Sequence, residues 1–284
     1  MSYYKPSLST STDKAKEYHW NVFHVDVHSP PEYRTLLGHV ISFVGISLVS
    51  ALDPSSLVRA VVHAHLGYYN MCQKNYQHRD ISIGNVLMVE QGIKCEPFTI
   101  KNPNETQTEI LEVCRQLGIF GQDAMAFVID GDMAIDWRTY FGEKHDGSNS
   151  GTAEFMSKAL LEPNDGVIHS PVDDYWSFYF TAQWACVFRQ ALLGEAEGDP
   201  TKLEYLRSLL AGGTARRALG TNSIVDEPLT RLTYGSFLTD IQPFLRAWNQ
   251  AMKDLSWDWI KENRTEQFSL TFSGAMQTRV YYLF

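Results

Sequence analysis

Apolar residues near the front of the chain alternate with polar ones or cluster in short β-branched runs; further on they recur every third or fourth position. The stretches "NVFHVDVHS" (21–29) and "HVISFVGISLV" (39–49) carry the first pattern and predict strands. The second pattern begins at Asp53-Pro54-Ser55-Ser56. Asp53 or Ser55 can cap a helix there, and Pro54 suits its first turn. Leu57, Ala60, Val61, Ala64 and Tyr68 then predict a helix over about 55–74. "VLMV" (86–89) and "AMAFVI" (124–129) predict short strands, and "TQTEILEVCRQLG" (106–118) predicts a helix ending at Gly118. "YFGEKHDGSNSGT" (140–152) is a Gly/Ser-rich loop. Beyond it, "DDYWSFYFTAQWACVFRQAL" (173–192) is apolar nearly all round, the pattern of a central buried helix. "LEYLRSLL" (203–210) and "YGSFLTDIQPFLRAWNQAMKDL" (234–255) are amphipathic. Strands early and helices late predict an α+β fold. Residues 1–16 are polar and predict a disordered start.

Composition sharpens this picture. With 284 residues, 44% of them apolar, the chain can build a sizeable core. The net charge of -9, with no Lys/Arg cluster, argues against nucleic acid as a partner. Cys72, Cys95, Cys114 and Cys186 form no C-x-x-C pair and read as reduced thiols. The opening "MSYYKPSLSTSTDKAKEYHW" lacks the apolar stretch of a secretion signal, and "HVISFVGISLVSAL" is too short to cross a bilayer. The expectation is a cytoplasmic or nuclear protein, not secreted and not membrane-bound.

The chemistry concentrates in "HRDISIGN" (78–85), placed between a predicted helix and a predicted strand. Asp80 and Asn85 share this loop, and Asp130 follows the strand "AMAFVI". These are hard oxygen donors of the kind magnesium prefers, and phosphoryl transfer needs such donors plus a base for the incoming hydroxyl. Asp132 either assists the metal or faces water. The pairs His24/His28 and His63/His65 are poor metal sites, because strand placement and divergent helix faces separate them.

"HRDISIGN" resembles the catalytic loop of eukaryotic protein kinases, and its ending is most similar to the fungal-type protein kinase family. "FVIDGDMA" (127–134) resembles that family's metal-binding segment, "GTAEFMS" (151–157) the end of its activation segment, and "HSPVDDYWSF" (169–178) the start of its central helix. The resemblance implies a protein-kinase-like fold: a mostly helical large lobe over 47–284 with an insert at about 90–125, and a reduced, strand-containing small lobe over 17–46. It implies ATP and Mg²⁺ as cofactors and a protein substrate phosphorylated on Ser/Thr. By the same resemblance Asp80 acts as the base, with Arg79 and Asn85 beside it. Asn85 and Asp130 hold nucleotide-bound metal, Asp132 being a further candidate, and Asp174 hydrogen-bonds the catalytic-loop backbone. His78 packs structurally, and Arg79 pairs with a phosphate on Thr139, Ser148, Ser150 or Thr152.

Two departures bear on activity. No Gly-x-Gly-x-x-Gly and no Val-Ala-x-Lys precedes Asp80, and Gly131 stands where most kinases carry Phe. Two other readings therefore stay open: a pseudokinase or partial isoform acting as a protein-binding module, and a small-molecule kinase of the aminoglycoside type.

Overall fold

The computed structural model describes residues 18–19, 35–36, 44–94, 103, 105–116, 123–136, 151–162, 169–193 and 198–262. The expected strand at 21–29, the cap at Gly118 and most of the 140–152 loop lie outside them. The chain divides into two compact units, 1–44 and 45–284. In the first, β1 (Tyr18–His19) pairs antiparallel with β2 (Thr35–Leu36).

The second unit is mostly helical with a small antiparallel sheet, an α+β arrangement. Its sheet has the order β3 (Ile46–Ser47), β5 (Val86–Lys94), β6 (Asp123–Val128), with every neighbour antiparallel. Of the described part of the run 39–49, residues 44–49, Ile46–Ser47 is strand; Leu48–Ser50 then turns as 3₁₀ helix and buries Leu48 and Val49. A second ribbon pairs β4 (Tyr76–Gln77) with β7 (Ile135–Asp136).

The predicted strand "VLMV" continues through Lys94, and β6 begins at Asp123. These two strands are direct partners despite the 28 residues between them, which include α2 (Glu105–Gln116). An irregularity between Met88 and Ile93 absorbs the extra length: Met88 faces Ala126 and Ile93 faces Ala124. Gly92 sits there because a Cβ would come within 2.5 Å of the Asp123 Cβ.

Helix α1 (Pro54–Gln73) is capped by Asp53, whose carboxylate accepts from the Ser56 amide and hydroxyl, both at 2.8 Å. It buries Leu57, Ala60, Val61, Ala64 and Tyr68, the stripe expected from spacing. Next come α3 (Lys158–Leu161), α4 (Pro171–Leu193), α5 (Pro200–Leu210), α6 (Thr214–Val225) and α7 (Arg231–Glu262). Helix α4 is the hub: Val172, Tyr175, Phe178, Tyr179, Ala182 and Cys186 are all buried along it. Helix α7 offers it Leu238, Ile241, Leu245, Trp248, Met252 and Leu255, a repeat of three and four residues that keeps one face inward. Gly235 breaks the start of α7 at φ 78°, while Pro243 is accommodated inside it. No helix among the described residues is long and apolar enough to cross a membrane.

Candidate functional site

The loop joining β4 to β5 is fixed from three directions. Its backbone is held by Asp174, on the first turn of α4: the carboxylate accepts from the His78 amide at 3.0 Å and from the Arg79 amide at 3.1 Å. Asp174 is fully buried. Burial alone would push its carboxyl up, but the His169 hydrogen bond and charge and the Arg79 amide outweigh it and hold the carboxyl below its ordinary value.

His78 makes the second connection. Its Nε2 lies 2.9 Å from the Ile129 carbonyl, while the Asp80 amide donates to its Nδ1 at 3.3 Å. An Nε2–H tautomer satisfies both atoms. The loop that carries Asp80 is thereby tied to the residue before Asp130. Asn85 makes the third: its carbonyl accepts from the Ile129 amide at 2.9 Å, next to the Val86–Val128 strand pair. Two chain segments more than forty residues apart are thus joined where Asn85 meets Ile129, the residue before Asp130, at the end of one sheet.

The Asn85 Nδ2 donates to the Asp80 carbonyl at 2.8 Å and to the Asp80 Oδ2 at 3.1 Å. Both bonds use the amide nitrogen, so the amide oxygen is the atom free to face a cation. The other oxygen, Asp80 Oδ1, accepts from the Thr152 amide and from the Thr152 hydroxyl, each at 2.9 Å. An alcohol can therefore reach this carboxylate at hydrogen-bond distance, as a general base requires.

Asp130 is exposed and adopts a left-handed backbone, φ 61° and ψ 61°, at the head of the 3₁₀ turn Gly131–Met133. Asp132 is exposed in that turn, outside the hydrogen-bonded set formed by Asp80, Asn85 and Ile129. Arg79 is also left-handed, at φ 71°, and half-buried. Two carboxylates and one amide oxygen suit a hard divalent cation carrying phosphate, which supplies the remaining ligands. Among the described residues no three His, Cys, Asp or Glu side chains gather into a metal site of their own. His63 accepts from the Met125 amide at 2.7 Å, while His65 is ringed edge-on by Tyr175, Phe178 and Trp248; the two histidines diverge.

The segment that delivers Thr152 is held by residues to which sequence reasoning gave no role. Gly151 sits at φ 122°, where a Cβ would lie 2.8 Å from the Arg79 carbonyl. Arg217, on α6, donates to the carbonyls of Ala153 at 2.9 Å and of Glu154 and Met156 at 2.6 Å. Its guanidinium lies 4.5 Å from the centre of the Phe180 ring. Burial pulls its pKa down to about 10, partly offset by the Glu154 charge. Nothing in "TARRALG" (214–220) marks Arg217 apart from Arg216. His169 and Gln77 add a latch: the buried Gln77 amide donates to the His169 carbonyl at 3.0 Å.

The sequence profile described as fungal protein kinase matches residues 3–186, which takes in every candidate site residue named above except Arg217. No curated protein matches the chain.

Proposed function

The chain belongs to the fungal protein kinase family, and from that premise we propose that it is a protein-kinase-fold phosphotransferase moving the γ-phosphate of ATP to Ser/Thr hydroxyls of a protein. In this reading Asp80 orients the substrate hydroxyl and takes its proton. The alcohol oxygen forms the new bond to the γ-phosphorus as the bond to the β-bridging oxygen breaks, and ADP leaves. Asn85 and Asp130 would hold magnesium, with Asp132 at the rim, and the metal supplies charge neutralisation on the phosphates. Asp174 and His78 keep the loop in register and so maintain the alignment on which most of the rate depends. The observation that carries the reading is the Thr152 hydroxyl on Asp80 Oδ1, a threonine alcohol already where a substrate alcohol must come.

Radiolabelled ATP with Mg²⁺ and a mixed protein substrate tests it. Wild type transfers label to Ser/Thr, and Asp80→Asn lowers transfer at least about a hundredfold, the lower range for a lost base. Transfer that survives Asp80→Asn removes that residue from its role.

A second reading, a partner-binding module, is favoured by Gly131, which stands where most kinases carry Phe. Thermal melting separates the two: a rise with millimolar MgATP, lost in Asp130→Asn, supports catalysis, and no rise supports the module.

A further inference from the structure

Two adjacent carboxylates open α4, and only Asp174 has a role so far. Asp173 Oδ2 accepts from the Ser170 amide at 2.7 Å and hydroxyl at 2.6 Å, closing the helix start as a capping box does. Its Oδ1 is not needed for that cap. It accepts instead from the hydroxyl of Ser157, the last residue of "GTAEFMS". The Ser157 oxygen in turn accepts from the Leu160 amide at 3.3 Å and starts α3. Asp173 is 6% exposed and Ser157 3%, so water does not compete for the bond.

We propose that Asp173 is a positioning residue that, through Ser157, sets Thr152 on Asp80. The contacts close a ring. Thr152 bonds Asp80, five residues of chain lead to Ser157, Ser157 bonds Asp173, and Asp174 returns to the Arg79 amide beside Asp80. Arg217 supports the carbonyls between, and the Ser157 bond anchors the far end of the segment. One helix start therefore fixes both the loop that bears Asp80 and the segment that crosses it. What the ring does for catalysis rests on Asp80 being the base; the ring itself does not.

Residue-resolved amide exchange on the full chain tests this without any transfer assay, so a chain that moves no phosphate leaves the test intact. The variants are Ser157→Ala and Asp173→Asn, alone and combined. The Thr152 amide, five residues from Ser157, is the decisive reporter. We expect it to exchange about tenfold or more faster in each single variant, relative to the His78 amide, as loss of a charge-accepted bond implies. At Thr152 the double variant then adds little, because the Ser157–Asp173 bond is the one both changes remove. Faster exchange at Leu160 alone would reduce Ser157 to a helix cap and overturn the proposal. An equal acceleration at Thr152 and His78 would mean general loosening and overturn it as well. Should Asp173→Asn fail to fold, Ser157→Ala decides alone.

Discussion

Among the described residues, Arg79 adopts a left-handed backbone at φ 71° that its side chain disfavours and Asp130 one at φ 61° that an aspartate enters more readily, and both border the proposed catalytic centre. The third such residue, Asn75, ends α1, where asparagine tolerates the conformation. A strained residue persists only where its surroundings over-determine it. For Arg79 these are the two bonds to Asp174; for Asp130 they are the Ile129 links to His78 and Asn85. Gly151 completes the arrangement, at a positive φ and with no room for a Cβ beneath the Arg79 carbonyl. Gly151→Ala is therefore expected to lose about 1–3 kcal/mol of stability, the scale of one strained residue, and to displace Thr152. Urea melts check the first effect and transfer activity the second; an unchanged melt would mean the segment relaxes freely. Of these residues, the sequence made Asp80 and Asn85 visible because their spacing is local. Arg79's conformation shows in no local pattern; the carboxylate that holds it, Asp174, lies ninety-five residues away and was expected only from the family resemblance.

At the scale of elements, the boundary between legible and hidden follows the source of the stabilisation. Helices α1, α4 and α7 bury stripes that spacing alone reveals, so the pattern locates them. Helix α6 also buries a stripe, Arg217, Gly220, Thr221, Ile224 and Val225, but its first three members are small or polar, so hydrophobic spacing does not reveal it. A Cβ on Gly220 would lie 3.0 Å from Leu210 and 3.1 Å from Leu209, so a side chain there would push those leucines of α5 back by a few tenths of an ångström. The extension of β5 to Lys94 was hidden for a related reason: its last residues are polar and pair only because β6 returns beside them. Helix α6 matters because it brings Arg217 to the segment that meets Asp80. Arg217→Met keeps much of the length but leaves three carbonyls without their donor, an expected loss of about 2–4 kcal/mol. Arg217→Lys should not restore it, because one ammonium cannot span three acceptors held by a planar fork. Limited proteolysis within 151–162, set beside urea melts of both variants, provides the check. A lysine variant as resistant as wild type would assign the effect to charge alone.

The second unit, 45–284, is organised around the aromatic centre where α1, α4 and α7 meet, and that centre contains a titratable group. His65 lies against Phe178 at 4.2 Å, Trp248 at 5.2 Å and Tyr175 at 5.6 Å, centroid to centroid. Burial pulls its pKa from 6.5 down to about 3. In the unfolded chain the same imidazole titrates near 6.5, so between those values the unfolded state binds a proton that the folded state refuses. Stability is then complete above about pH 6.5 and falls as pH drops toward 3. From pH 7 to pH 5 the loss from this one group is about 2 kcal/mol. The Asp174 carboxyl, held below its ordinary 3.8, contributes stability that is lost as pH falls below about 4, so it does not enter the comparison between pH 7 and pH 5. His65→Phe removes the titration and keeps a ring among rings. Denaturant unfolding of both proteins at pH 7 and pH 5 should show a fall about 2 kcal/mol larger in wild type than in the variant, whatever their absolute stabilities. Equal falls would mean that His65 takes up its proton while folded, and the core between α1 and α4 would then have to admit water at mildly acidic pH.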